Sequence, residues 1–328
     1  MKRLRRSAIW LLLAMSIMCV GPLAGCSKRE APDQPDQTQA AAGRNEAGGA
    51  STTEAKPDGA PTVAPEADGQ DQAAAEPEAA KYHLKLDLSD GKAFSHQVSS
   101  QLTMIQGAQQ FPEAEKSDIA FELTVLQTPS READGSYACT MSYKDVDVAI
   151  KKGGTVDQEE SAAKEKQIAA RKDTFRFDSR GRLKLNPGEE AGLDVGFGGI
   201  VFPERPVAVG GKWEYETKLD LAGLIKPGLR PVPVSATYKL LEVAEKNGIE
   251  QAHVTMSLTG VVDTTLPLDE GGAHYEGTVT LTVDAWIELA TGIAETATSD
   301  LQIDVKAASG SNIMSYLRHA KEKRVRKR

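Results

Sequence analysis

The sequence predicts a mainly β protein: one large antiparallel sheet domain, a half-barrel or a sandwich, built from two similar halves with one short helix or ordered loop between them. Three observations predict it. After Lys81 apolar residues take every second position over long stretches, Asp-Gly and Asn-Gly dipeptides punctuate those stretches, and segments of the first half reappear roughly 115 residues later. The 328 residues are 40% apolar, enough for a sizeable core, which excludes a wholly disordered chain. Three Cys and 5% aromatics exclude a disulfide scaffold and an aromatic-rich lectin-like surface.

Residues 1–25 read as an export signal. Lys2, Arg3, Arg5 and Arg6 precede an apolar run from Ala8 to Val20 that is too short to span a bilayer as a mature helix. The segment closes on Leu23-Ala24-Gly25-Cys26, which resembles the bacterial lipobox. That resemblance implies a diacylglyceryl group on the Cys26 thiol and cleavage before it, with Ser27 at the next position directing the chain to the outer membrane. Two or three acyl chains, at about 0.8 kcal/mol per buried methylene, hold a protein on a membrane far more firmly than one. Residues 26–80 hold the lipidated Cys and a linker. From 27 to 80 there are fifteen Ala, no aromatic and one branched aliphatic, Val63, so the segment cannot bury a core. As a flexible coil it reaches on the order of 40 Å.

A β domain is expected over 81–308, with halves at about 81–186 and 207–308. Tyr82, Leu84, Leu86 and Leu88 share one face of a strand, and Tyr137, Cys139, Met141 and Tyr143 share one face of another after Asp134-Gly135. Val156 to Arg171, rich in Ala, Glu, Lys and Gln, reads as a polar helix or ordered loop. The most regular strand is late: Tyr275, Val279, Leu281, Val283, Ala285 and Ile287 alternate with Thr278, Thr280, Thr282 and Asp284. Thr291-Gly292 turns it into a partner strand containing Leu301, Ile303 and Val305. In the repeat, Phe121-Glu122-Leu123, Asp134-Gly135 and Cys139 to Tyr143 align with Tyr238-Lys239-Leu240, Asn247-Gly248 and Val254 to Leu258. Residues 309–328 are expected as a basic C-terminal tail, because Arg318 to Arg328 holds seven Lys or Arg against Glu322 alone, in a chain of formal charge −8. Such a tail is either a solvated terminus or a contact for anionic headgroups.

The phrase Phe202-Pro203-Glu204-Arg205-Pro206-Val207, followed by Gly210-Gly211-Lys212-Trp213, resembles the FPExPVxxGxxW segment of an uncharacterised family of secreted bacterial lipoproteins. The resemblance implies β hairpins on either side of the phrase and a strand ending in a Thr-Gly turn, here Thr291-Gly292. It implies no activity.

Catalytic and metal chemistry leave little trace. There is no G-x-S-x-G elbow, no H-E-x-x-H and no paired C-x-x-C, and the five His are scattered. Cys139 reads as a buried small hydrophobe. Asp269, Glu270, His274 and Glu276 read as a solvated hairpin tip, and Asp145 with Asp147 as the outward face of an edge strand. A diffuse hydrolytic site around Asp269 and His274 is the minor alternative. Glycines 192, 196, 198 and 199 lack the Lys-Ser/Thr of a phosphate loop. Trp213 is expected in the core. Trp286 falls on the polar side of its strand, under a second layer or at a contact. With no catalytic, metal or cofactor-binding residue to name, the reading is a non-enzymatic envelope module. Its partners would be the membrane through Cys26 and a lipid or another hydrophobic ligand held in a sheet concavity, with nucleic acid excluded. A structural or assembly lipoprotein that binds another envelope protein is the alternative. Candidate contact residues are Trp286, Arg324, Arg326, Lys327 and Arg328.

Overall fold

The computed structural model describes residues 80–108, 115–184, 197–226, 228–266, 272–310 and 312–328. Cys26, the expected lipidation position, with the linker, Asp269, Glu270, Gly192 and Gly196, lies outside the described residues. Three long strands come first, β2 (Phe94–Ala108), β3 (Glu115–Arg131) and β4 (Tyr137–Lys152), preceded by the two-residue β1 (Lys81–Tyr82). Then follow β5 (Thr155–Val156), helix α1 (Gln158–Ala169), β6 (Lys172–Phe177), β7 (Val207–Ala208), β8 (Lys212–Leu219) and a short helix α2 (Leu221–Leu224). The chain ends in a meander of β9 (Val232–Lys246), β10 (Ile249–Thr265), β11 (His274–Glu288), β12 (Ala294–Ser309) and β13 (Asn312–Lys327).

Among the described residues eleven strands form one open antiparallel sheet in the order β5-β4-β3-β2-β13-β12-β11-β10-β9-β8, with β6 also on β4. In strand order, β2-β3-β4-β6 and β8-β9-β10-β11 are both four-strand meanders. The second half then adds β12 and β13, and β13 pairs with β2 to join the two.

This arrangement corrects the expected basic tail. Residues 312–327 are a central strand, hydrogen-bonded on both edges, and the sheet runs beyond residue 308. The strand escapes an apolar period-two reading because its inward positions are Ala320, Glu322, Arg324 and Arg326. A second correction concerns Tyr82 to Leu88. Only Lys81 and Tyr82 are in a ladder, on β7, and the following residues run extended across the sheet. Leu86 N–H donates to Ser179 and Asp87 N–H to Thr291, at 2.8 and 2.9 Å.

Alternation explains the strands that were legible. On β11 the inward Val279, Leu281, Val283, Ala285 and Ile287 are buried, whereas Thr278, Thr282 and Asp284 are exposed. Asn247 and Gly248 have φ of 55° and 74°, which a two-residue hairpin turn of the primed type requires. Gly277 on β11 has φ of 151°, and a Cβ there would overlap the Asp304 carbonyl oxygen and lie 2.7 Å from Val305 Cα on β12. Gly277→Ala is therefore expected to cost about 2 kcal/mol through overpacking, read as a lower midpoint in urea with an unchanged slope.

The inward face is sealed by the chain itself. Leu84, Leu86 and Leu88, then Ile200, Val201 and Phe202, then Leu221, Leu224 and Leu229 are all buried in one cluster with the sheet residues. The fold is thus a half-barrel closed by loops rather than a sandwich. Cys139 is fully buried in this cluster, and burial pushes its thiol up to about 12, which makes it inert. The phrase from Phe202 to Trp213 clasps a loop to the sheet edge: Phe202 enters the core, Arg180 Nε donates to its carbonyl at 2.9 Å, and Trp213 Nε1 donates to Val201 O at 2.7 Å. Trp213 also stacks on Tyr238, with centroids 5.4 Å apart.

Both outer edges of the sheet are protected. Asp157 caps α1 by accepting from Glu160 N–H at 3.0 Å, and Glu159 and Glu160 lie in its first turn, where negative charge suits the helix dipole. The helix lies against β4, whose backbone donors at Val148 and Ile150 reach Glu165 Oε1 and Ser161 Oγ, at 3.1 and 3.0 Å. With β5 and β6 covering the rest, little of the β4 ladder is open to another strand. At the opposite edge β8 carries Lys212, Glu214, Glu216 and Lys218 on its exposed face, charges that discourage edge-to-edge association.

Candidate functional site

The candidate contact residues do not form one site. Arg324 lies 6% exposed on the inward face, paired with Glu322. Arg326 donates to both Glu288 Oε2 and Glu295 Oε1 at 2.7 Å, Arg328 reaches Glu295 at 2.8 Å, and Lys327 Nζ donates to Thr124 Oγ1 at 2.9 Å. Arg324 thus pairs within its own strand, whereas Arg326, Lys327 and Arg328 tie the end of β13 to β11, β12 and β3. The proposed contact of Arg324 and Arg326 with headgroups is corrected on that ground: their charges are spent inside the protein. Trp286 is half-buried on the outward face, among the side chains of neighbouring strands. His253 stacks on it at 4.5 Å between centroids, and Lys246 Nζ lies 2.9 Å from its ring centre.

Around β13 the inward face is polar. His96 Nε2 donates to Ala294 O at 2.8 Å, and Gln127 Nε2 donates to His96 Nδ1 at 2.9 Å, an arrangement that suits neutral imidazole. Burial, then the nearby Arg324 and Arg326 charges, hold His96 down at about 4 despite the Ala294 hydrogen bond. Glu322 is buried, which raises its carboxyl, while Arg324 pulls the other way. Ser100 Oγ, Gln127 Oε1 and Glu322 Oε2 lack a partner among the described residues.

A wide groove lies on the other face. Successive strands place outward side chains opposite one another, and one row reads Lys212, Lys239, Thr255, Asp284, Thr298, Lys323, Ser99, Glu122 across β8, β9, β10, β11, β12, β13, β2 and β3. The next row contains Thr237, Ser257, Thr282, Asp300, Lys321, Gln101 and Ala120. Together they line a groove of about 920 Å³, within the range of small-ligand sites. This outward groove presents hydroxyls and charged side chains together with apolar surface. His253 Nε2 contacts the two Asp284 carboxylate oxygens at 3.1 and 3.0 Å, and His319 Nε2 contacts Asp300 at 3.0 Å. Asp145 and Asp147 point outward on β4 as expected, with Asp145 accepting from Thr124 Oγ1 at 3.0 Å. His274 contacts Thr265 Oγ1 at 3.1 Å and Asp263 at 3.7 Å. Among the described residues no group of three or more His, Cys, Asp or Glu could hold a metal ion. Sequence reasoning missed the groove because its members come from eight strands, and only the inter-strand register aligns them.

No protein-family model and no curated protein sequence matches the chain. Among solved structures, one of lipid–protein interactions in lipovitellin overlaps 74% of this chain and 26% of that one, at 11% identity and a TM-score of 0.38. The chain thus spans about a quarter of the lipovitellin chain. A DUF1329 family protein from Desulfovibrio piger overlaps 68% of this chain and 83% of that one, at 10% identity and a TM-score of 0.12. Likenesses of this size assign neither ligand nor activity.

Proposed function

We propose that the chain is a non-enzymatic binding module of the bacterial cell envelope, tethered to the outer membrane through lipid on Cys26, and that its working surface is the polar groove. The observation that carries this reading is the pair of cross-strand rows. They line a groove of about 920 Å³, while the apolar face is filled by the protein's own Leu84, Leu86, Leu88 and Phe202. A lipid partner would place its polar headgroup against the hydroxyls and charged side chains of these rows. The lipobox-like residues before Cys26 and the signal ahead of them support the address.

A photoreactive phenylalanine analogue at Ser257 or Thr282, tested in the native host, is expected to capture material that the same analogue at Asp147, outside the groove, does not. Equal capture at all three positions, or none, would contradict the reading. A single dominant protein adduct would instead favour the alternative, a structural or assembly lipoprotein bound to another envelope protein. The tether has its own test. The mature chain should carry a diacylglyceryl mass on Cys26, and Cys26→Ser should release the protein from membranes; an unmodified residue 26 on a membrane-bound chain would remove the anchor.

A further inference from the structure

The geometry points to an elongated, hydroxyl-bearing anion as the ligand of the groove, an inference that rests on the proposed working surface. Lys212 on β8 and Lys239 on β9 are directly opposed across the ladder, and like charges so placed repel. Neither has an ion-pair partner among the described residues, nor has Lys323 in the same row on β13. Four strand spacings separate Lys239 from Lys323, roughly 19 Å along the sheet. Between them lie the Thr255 and Thr298 hydroxyls and Asp284, whose carboxylate is already engaged by His253.

A molecule that fits this pattern has phosphate or carboxylate groups near both ends and hydroxyls between. An acidic oligosaccharide meets the description, whether free or as the headgroup of a lipid. The groove also carries Glu122, Asp284 and Asp300, with Asp300 beside Lys321, so the opposed Lys212 and Lys239 at one end and Lys323 towards the other are the positions where an anion would relieve charge.

The test uses the full mature chain and isothermal titration with tetragalacturonate, with maltotetraose as the uncharged control. Tetragalacturonate is expected to bind one to one and more weakly as salt rises, while maltotetraose does not bind. The double variant Lys212→Gln/Lys239→Gln should weaken binding roughly tenfold or more, and Lys323→Gln should weaken it measurably. Lys212→Gln alone should raise the melting temperature of the free protein, because it removes the repulsion without touching the core. Binding to phosphatidylglycerol vesicles but not to the free oligomer would place the anion on a lipid headgroup. Equal binding of the charged and neutral probes, unchanged affinity in the lysine variants, or no binding of any anionic probe would overturn the inference. If Ser257 and Thr282 still capture material in cells while anions fail to compete, only the ligand class falls. If capture fails as well, the working surface falls with it.

Discussion

Arg324→Ala is expected to destabilise the protein by about 3–5 kcal/mol, the cost of leaving the Glu322 carboxylate buried without its counter-ion. The pair sits two residues apart on the inward face of β13, at the seam where the halves meet. Opposite Glu322 lie Ser100 on β2 and Ser299 on β12, and opposite Arg324 lie Val98 and Ala297. Nothing in that lining replaces the guanidinium. Glu322→Ala should also destabilise the protein, because it removes the buried carboxylate that pairs with Arg324. The double change Glu322→Leu/Arg324→Leu removes both charges and should return stability to within about 1 kcal/mol of the parent, or above it, because a buried ion pair is often no better than apolar packing. Urea unfolding of the four proteins measures the coupling directly. Strictly additive losses would show that the two side chains do not act on each other.

Stability should fall by roughly 3 kcal/mol between pH 6.5 and pH 4 on account of His96. The ordinary histidine value is 6.5, and the folded protein holds this one at about 4. A group depressed by folding contributes stability that is fully present above its unfolded value and is lost as pH falls toward the folded one. The unfolded chain takes up a proton that the buried imidazole, donating to Ala294 and accepting from Gln127, refuses. Glu322 acts in the opposite sense, since a carboxyl raised by folding favours the native state as pH falls. Its contribution is separated by comparison with His96→Gln, whose neutral amide can still donate to Ala294. The stability–pH curve of that variant should be flatter through this window by the same amount. Parallel curves would contradict the assignment.

The parts of the fold that were legible in the sequence share one property: their inward positions are apolar. β11 reads plainly because Val279, Leu281, Val283 and Ala285 alternate with threonine and aspartate, and Cys139 reads as core for the same reason. β13 was hidden because Glu322, Arg324 and Arg326 occupy inward positions, and charge in a terminal segment looks like solvent exposure until the fold pairs Glu322 with Arg324 and brings Glu288 and Glu295 to Arg326. Leu84 to Leu88 erred in the other direction. Their alternation is real and all three leucines are buried, but they pack as an extended strap with hydrogen bonds to turns, and period-two burial does not by itself make a ladder. The groove was beyond local reading altogether. Lys212 and Lys323 are far apart in the chain, and they share a row only through the pairings that link β8 to β13.

Acetylation footprinting of Lys239 and Lys323, in intact cells and in the purified full chain, bears most directly on which face of the sheet does the work. An occupied groove predicts that both lysines are slow to react in the cell and fast once purified, whereas Lys151, exposed on β4 outside the groove, reacts alike in both. Equal reactivity of Lys239 and Lys323 in the two settings would contradict the account.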